Sequence, residues 1–293
     1  MNSLSVVIPS YNSPATLPCC LEALEAQLEW QRDEVIVVDS SADSHVDALS
    51  SRFRQVRWER QKVRLFPGAA RNLGARLARR DWVAFVDADI QVQPGWRAVI
   101  DRLAGNIVAV GGPVEAAWPR SRWGLARYWI EFGQFAPTNL PGRNWNIPSC
   151  NMVWLRSVFL ETGGFPEDFA SADDLLFNYR NMKLRCRQFI LLHELKVAHP
   201  ADSQKNAVQE HLERLGYWSG RARLQGVRPA VTHSRLAAPL LYFYRLGQVW
   251  RRCLRGAPFT EAQSLLGPIA KGVSWWYQGF YRGLGEGSKI SRE

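Results

Sequence analysis

Two carboxylates stand directly after an apolar run in the first half of the chain. Residues 82–86 are apolar, and Asp87 and Asp89 follow them. Carboxylates held so close together repel each other unless a positive group lies near them. Hard oxygen ligands of this kind suit Mg²⁺ or Mn²⁺ that also binds phosphate oxygens. The pair therefore predicts a divalent metal site beside a phosphate, although a solvated turn has the same short pattern.

Polar residues also follow two earlier predicted strands, at residues 5–8 and 34–38. The residues after these strands are Pro9-Ser10-Tyr11-Asn12 and Asp39-Ser40-Ser41. Ligands of open parallel sheets bind at the carboxyl ends of the strands, where such residues collect. We therefore expect one binding site at this edge. The sequence has no Walker-type loop and no Gly-x-Gly-x-x-Gly after a strand, which disfavours ATPases and dinucleotide enzymes.

Short apolar runs alternate with helical patterns through the first half, which is typical of a parallel sheet with crossover helices. The predicted strands are residues 5–8, 34–38, 56–58, 82–86 and 107–114. The predicted helices are residues 15–27, 43–53, 68–79 and 95–103. The expected fold class is α/β, with a mostly parallel, doubly wound sheet.

The second half is less regular and ends in helical patterns alone, beyond Pro200. Before that point the Gly163-Gly164 pair ends a short helix. The other predictions are helices at 122–135 and 172–184, a loop at 137–143, and strands at 151–155, 188–192 and 195–198.

Seven short motifs occur in a fixed order along the chain. They are residues 6–12 (VVIPSYN), 37–41 (VVDSS), 70–74 (ARNLG), 85–89 (FVDAD), 149–152 (SCNM), 163–166 (GGFP) and 172–174 (ADD), before Val197-Ala198-His199. This succession closely resembles the inverting family 2 glycosyltransferases, which have the nucleotide-diphospho-sugar transferase fold, or GT-A fold. The resemblance covers about residues 4–199, and its specificity comes from the combination.

The resemblance implies a binding site for a nucleotide-sugar donor. Asp39 would bind the nucleotide base, beside a floor formed by Pro9, Tyr11 and Asn12. Arg71 would counter the diphosphate, near a helix start where backbone N–H groups also favour anions.

The resemblance also implies a metal site for Mn²⁺ or Mg²⁺. Asp87 would lie near the ribose and the metal, Asp89 would be the main metal ligand, and His199 would complete the metal shell. A histidine before Pro200 is also compatible with a plain strand-end residue of the core.

Asp174 matches the catalytic base of the family. The family usually has Glu-Asp where this chain has Asp173-Asp174, a conservative departure that keeps the second carboxylate. An acceptor hydroxyl has a high pKa, so it needs a base aligned opposite the leaving group. Adjacent carboxylates at a helix start can also be caps. The implied reaction is a single displacement with inversion, onto a glycan or a lipid-linked acceptor of polysaccharide or cell-envelope synthesis.

The implied domains are a GT-A catalytic domain at 1–200 and a basic amphipathic helical extension at 201–293. Within the first, the nucleotide-sugar half would be about residues 1–115 and the acceptor half about 116–200. Trp118, Trp145 and Trp154 are candidates for stacking on sugar rings, because the apolar face of a sugar suits an aromatic plane.

Two rival functions fit part of the pattern. A Mg²⁺-dependent aspartyl phosphatase also has Asp-x-Asp after a strand, but on its first strand and with Thr or Val two residues later, where this chain has Gln91. An inactive transferase fold that serves as a basic membrane- or nucleic-acid-binding module would have lost donor-site residues. These residues are all present: Asp39, Arg71, Asp87, Asp89 and Asp174. We therefore expect an enzyme and no nucleic-acid partner.

The composition is that of an ordinary globular protein, with 293 residues, 46% of them hydrophobic and 22% charged. Five cysteines without Cys-x-x-Cys spacing disfavour a disulfide framework and a thiolate zinc site, and indicate a reducing compartment. No basic segment precedes the strand-like run at Leu4, so no signal peptide is predicted. The longest apolar run, residues 236–244, is far shorter than the roughly 20 residues of a spanning helix.

The net charge of +10 belongs mainly to the C-terminal third, where 14 Lys and Arg face 6 Asp and Glu from Pro200 onward. Two predicted helices in this third have an apolar face, and on a helical wheel their Arg and Lys residues lie outside that face. The faces are Leu236, Leu240, Phe243, Gly247, Trp250 and Leu254, and Ile269, Val273, Trp276 and Phe280. Such helices suit an anionic membrane surface, and they also suit packing on the catalytic domain. We expect a cytoplasmic protein that associates peripherally with the inner face of the cell membrane.

Overall fold

The computed structural model describes residues 1–42, 45–139, 142–185, 187–227 and 238–290. Its strands are β1 (Leu4–Ser10), β2 (Asp33–Asp39), β3 (Arg57–Arg60), β4 (Trp82–Phe85), β5 (Gln91–Val92), β6 (Ala109–Gly111), β7 (Val114–Arg120), β8 (Arg143–Asn144), β9 (Met152–Leu155), β10 (Phe189–Leu191) and β11 (Val197–Ala201). Its α-helices are α1 (Leu17–Glu25), α2 (His45–Arg52), α3 (Pro67–Leu77), α4 (Trp96–Asp101), α5 (Arg122–Glu131), α6 (Arg156–Glu161), α7 (Asp173–Asn178), α8 (Lys205–Leu224), α9 (Ala238–Gly256) and α10 (Phe259–Ile290). Single turns of 3₁₀ helix lie at Gly133–Phe135, Pro137–Asn139 and Ser149–Asn151, and a π-helical turn follows α7 at Tyr179–Lys183.

Eight strands form the main sheet, in the order β3-β2-β1-β4-β9-β6-β10-β8. Six of them run in one direction, and β9 and β8 oppose them. A smaller sheet has the order β5-β11-β7. The mostly parallel α/β sheet predicted from the sequence is confirmed.

The central strands are apolar because helices and neighbouring strands bury them on both sides. All four residues of β4 are buried, as are Val35 to Val38 of β2. Ala70 of α3 packs against Ile36 and Val38 of β2. The parallel register places Ser10 directly beside Asp39, so β1 and β2 end together at the edge where the site was predicted.

One predicted strand is wrong. Residues 107–114 divide into β6 and the start of β7, with Gly112-Pro113 between them. The chain passes so close to the Leu195 carbonyl oxygen that a Cβ on Gly112 would lie 1.9 Å from it. The predicted loop at 137–143 contains a 3₁₀ turn and the start of β8, and its residues 140 and 141 lie outside the described residues.

The chain divides into two compact units, Met1–Glu115 with Pro141–His199, and Ala116–Leu140 with Pro200–Glu293. The first unit contains the main sheet and helices α1 to α4, α6 and α7. The second unit contains α5 and α8 to α10. The domain limits given by the sequence stay a prediction.

In the second unit, α10 packs along α8 and also contacts α5 and α9. The apolar face predicted for α10 is buried in this packing, since Ile269, Val273, Trp276 and Phe280 are at most 6% exposed. The prediction that this face meets a membrane is therefore wrong, and it packs on protein. Among the described residues, no helix combines the length and hydropathy needed to cross a membrane.

Four of the five cysteines lie among the described residues. Cys19, Cys20, Cys150 and Cys253 are free thiols. Three positions that the predictions cover lie outside the described residues: Asp43 in the helix predicted at 43–53, Cys186 among the five cysteines, and Leu236 in the apolar face of the other amphipathic helix.

Candidate active site

The loops after β1 and β2 are tied together around Asp39, which is 1% exposed. Its carboxylate accepts hydrogen bonds from Ser10 Oγ at 2.6 Å and from Ser41 Oγ and N–H, each at 3.0 Å. Asn12 has φ of 51°, a left-handed conformation that asparagine tolerates, and its N–H donates to Ser41 Oγ at 2.7 Å. The two loops therefore form one fixed surface at the strand ends.

Pro9 lies within β1, opposite Val38 of β2. Tyr11 lies on the loop that follows and is 39% exposed. The guanidinium carbon of Arg64 is 4.1 Å from the centre of the Tyr11 ring, a cation–π contact. Nothing in the sequence marks Arg64, because it belongs to none of the motifs.

Arg71 is buried in α3 and joins two carboxylates from different elements. Its Nη1 donates to Asp173 Oδ2 at 2.8 Å, and its Nη2 donates to Asp87 Oδ1 at 2.5 Å. Its Nε has no hydrogen-bond partner among the described residues. Burial opposes its charge, but the two carboxylates outweigh burial and hold its pKa above its usual range. Arg71 thus has protein partners that the sequence did not indicate, and its role toward a diphosphate stays a prediction.

Asp174 lies at the start of α7, next to Asp173, but has different partners. Its Oδ2 accepts a hydrogen bond from the Ser149 N–H at 3.1 Å, and its Oδ1 accepts one from the Leu175 N–H at 2.7 Å. Burial, and then the charge of Asp173, raise the pKa of Asp174 to about 7, while Arg71 opposes the change. A partly buried carboxyl with such a pKa can accept a proton at neutral pH.

Asp89 and His199 face each other, with 3.4 Å between Oδ2 and Nε2. His199, on β11, is 5% exposed, whereas the Asp89 side chain is 38% exposed. Within the described ranges, no group of three or more His, Cys, Asp and Glu side chains is arranged to hold a metal ion. The protein therefore offers one oxygen and one nitrogen donor here, and further ligands would come from water or phosphate.

The contacts join the predicted residues in three groups, all within the first unit. Asp39 and Asn12 both form a hydrogen bond with Ser41 Oγ, Arg71 donates a hydrogen bond to Asp87, and Asp89 lies against His199. Asp173 is not among the predicted site residues, yet it pairs with Arg71. Its place in the Asp173-Asp174 motif is the signal that could have indicated it.

The prediction that Trp154 stacks on a sugar ring is wrong. Trp154 is 1% exposed and contacts Phe159, Phe177 and Phe189 in the core. Trp118 is 76% exposed.

Comparison with solved structures defines the class of fold. The mannosyltransferase PcManGT from Pyrobaculum calidifontis, in complex with GDP-Man and Mn²⁺, superposes with a TM-score of 0.64 at 15% identity, over 97% of this chain and 88% of that chain. S. aureus TarS 1-349, in complex with UDP-GlcNAc, superposes with a TM-score of 0.53 at 16% identity, over 99% of this chain and 92% of that chain. The chain therefore has the GT-A fold.

Comparison of sequences identifies the family. The profile of glycosyl transferase family 2 matches residues 5–164, and the chain belongs to this family. The pre-mycofactocin glycosyltransferase of Mycobacterium tuberculosis is 27% identical over 182 residues, which are 60% of this chain. The match spans 37% of that relative's length.

Proposed function

We propose that the chain is an inverting glycosyltransferase that moves a sugar from a nucleotide-diphospho-sugar to an acceptor hydroxyl. The observation that supports this most is the position of Asp174. Its carboxyl, with a pKa raised to about 7, stands beside the ion pairs that join Asp173, Arg71 and Asp87. General bases act best when their pKa is near the working pH.

In the proposed step, Asp174 accepts the proton of the acceptor hydroxyl. The acceptor oxygen forms a bond to the anomeric carbon, and the bond from that carbon to the diphosphate oxygen breaks. The electron pair of the broken bond leaves with the nucleoside diphosphate. Because the acceptor enters opposite the leaving group, the configuration at the anomeric carbon inverts.

The donor would lie over the ends of β1 and β2. Asp39 is held by Ser10 and Ser41, so its carboxylate is oriented before a nucleotide base arrives. Pro9, Tyr11 and Asn12 would form the floor beside the base. PcManGT with GDP-Man and TarS with UDP-GlcNAc have this fold, which supports a nucleotide-sugar as the donor class.

A divalent cation, Mn²⁺ or Mg²⁺, fits the pair Asp89 and His199. Their donor atoms are 3.4 Å apart, close enough for both to bind one ion. When bound, the cation would neutralise charge on the departing diphosphate. Asp87 would stand beside it, held in place by Arg71. The Mn²⁺ in the PcManGT complex supports a cation of this kind.

The proposed acceptor is a glycan or a lipid-linked glycan of polysaccharide or cell-envelope synthesis. Its hydroxyl must reach Asp174, which remains partly exposed. We place the protein in the cytoplasm, with the inner face of the cell membrane as a peripheral partner of helix α9.

A panel of nucleotide-sugars, with and without Mn²⁺ or Mg²⁺, tests the proposal. The donor should raise the melting temperature of the protein, since it binds the folded form, and should be hydrolysed slowly without acceptor. Asp174→Asn should keep the thermal shift and lose transfer. Asp168→Asn, at an exposed carboxylate, is the matched control and should keep both. Failure of every donor to bind would refute the proposal.

A further inference from the structure

Helix α9 exposes an apolar surface along one side. Leu240, Phe243 and Tyr244 are 76%, 67% and 66% exposed, and Leu254 is 41% exposed. These residues share a side of the helix, because their spacing of three, four and seven or more positions returns them to one arc. Gly247 is also exposed there. We call this surface the outer face of α9.

The opposite side of α9 already packs within the second unit. Val249 and Cys253 are at most 1% exposed. The Tyr242 hydroxyl donates to the Ala270 carbonyl oxygen of α10 at 3.0 Å, and the Arg245 guanidinium lies 3.8 Å from the ring centre of Trp276. The contacts that hold α9 in place therefore come from this opposite side, and the outer face takes no part in them.

The charge of α9 indicates what covers the outer face. The helix contains four arginines and no acidic residue. Arg251 and Arg255 are exposed; the helical spacing places Arg251 within the outer face, beside Tyr244 and Gly247, and Arg255 at its border. An apolar surface that carries arginines suits the boundary between acyl chains and anionic headgroups.

A second copy of this chain fits the outer face less well. In a symmetric dimer the same surface meets itself, so Arg251 and Arg255 of both copies would be gathered in one interface. Like charges at a contact disfavour association, and α9 has no carboxylate to offset them.

We propose that the outer face of α9 docks on an anionic lipid bilayer. Leu240, Phe243 and Leu254 would enter the boundary between headgroups and acyl chains, and Arg251 and Arg255 would bind lipid phosphates. The helix would lie along the surface. The inference deepens the proposed function, because it assigns the membrane partner to α9 alone, but binding itself needs no glycosyl transfer.

Flotation of the full chain with vesicles tests this inference. The vesicles are phosphatidylcholine alone or phosphatidylcholine with roughly one third phosphatidylglycerol. The protein should float with the anionic vesicles, and less so when salt rises to about 0.5 M, because salt screens exposed charges. Leu240→Ser with Phe243→Ser, and separately Arg251→Glu with Arg255→Glu, should reduce the floated fraction at least tenfold.

The matched control is Arg54→Glu with Arg79→Glu, which changes the net charge equally at exposed arginines of the first unit. This control should float nearly as the unaltered protein does. The inference is overturned if the unaltered protein stays with the unbound fraction, or if the α9 variants float as the control does. It is also overturned if light scattering without lipid shows a dimer that the Leu240 and Phe243 substitutions dissociate.

Transfer to a water-soluble acceptor separates this inference from the proposed function. The α9 variants should transfer sugar to such an acceptor at the rate of the unaltered protein. Lost flotation with retained transfer supports the docking surface. Flotation of a protein that transfers no sugar would refute the proposed function and leave the docking surface standing.

Discussion

Arg71 and Asp173 form a buried ion pair, with 2.8 Å between Nη1 and Oδ2, although 102 positions separate them in the chain. The same guanidinium holds Asp87, which follows β4, at 2.5 Å. Since Asp173 precedes Asp174, the pair fixes the start of α7 relative to the strand ends. We therefore propose Arg71 as a positioning residue for the proposed base.

Arg71→Met should lower the free energy of unfolding by about 3–5 kcal/mol, because it leaves the buried carboxylate of Asp173 without its partner. Adding Asp173→Asn should restore part of this loss, since the variant then lacks one of the uncompensated charges. Urea denaturation of both variants measures the difference. Equal stability of Arg71→Met and the unaltered protein would show that the pair contributes nothing.

Asp174→Asn should lower the rate of transfer by at least about two orders of magnitude, because the proton acceptor is lost. Donor affinity should barely change, since the carboxyl faces the acceptor in the proposed step. Single-turnover kinetics and donor titration separate the two effects. Near-normal transfer by the purified variant would exclude Asp174 as the base.

Asp174→Asn should also make the protein more stable than the unaltered chain above neutral pH. Folding raises the pKa of Asp174 from 3.8 to about 7, so the folded state binds more protons than the unfolded state between these values. The contribution of Asp174 to stability therefore falls as pH rises through this window. Asp174→Asn should melt higher than the unaltered protein at about pH 8, and this gain should shrink at about pH 5.

Activity should follow the ionisation of the same carboxyl. A general base works only when unprotonated, so kcat/KM should rise with pH up to about 7 and then level off. Below that pH the slope of log kcat/KM should approach about one per unit. Asp173→Asn should move this limb to lower pH, because it removes a negative charge that raises the pKa of Asp174. A flat profile from acid to alkaline pH would contradict the assignment.

The sequence predicts the sheet well, because β1, β2 and β4 are apolar runs whose burial on both faces excludes other structures. It fails for β5 and β8, which have two residues each and owe their form to neighbours far along the chain. Short strands have no period that a sequence could display.

The site residues follow from motifs, whereas their partners do not. Nothing in the sequence around Arg71 indicates that its guanidinium would join Asp87 and Asp173, since that contact depends on how α3, β4 and α7 pack. The helical wheel finds the apolar faces of α9 and α10 but cannot tell protein from lipid as their partner. The structure shows that Phe280 of α10 is buried, at 2% exposed, whereas Phe243 of α9 is 67% exposed.

The metal site should distinguish Asp89 from His199. Asp89→Ala should abolish metal-dependent donor binding and activity, because it removes the carboxylate ligand that either Mn²⁺ or Mg²⁺ would use. His199→Ala should weaken both less, since water can replace one ligand. Donor titration with Mn²⁺, Mg²⁺ and chelator checks this. Full donor affinity and activity after thorough chelation would contradict the metal scheme.

The contact of α8 with α10 gives a prediction about stability alone. A Cβ on Gly279 would lie 1.9 Å from the Glu213 carbonyl oxygen, so Gly279→Ala must push the two helices apart. Overpacking of this kind costs about 1–3 kcal/mol, even though alanine forms helices better than glycine. Gly247→Ala in α9 is the matched control, because a Cβ there meets nothing within 4 Å and should be neutral or stabilise by up to about 1 kcal/mol. Thermal unfolding of both variants measures the contrast. If Gly279→Ala melts at or above the temperature of Gly247→Ala, the backbones of α8 and α10 do not approach each other as closely as described.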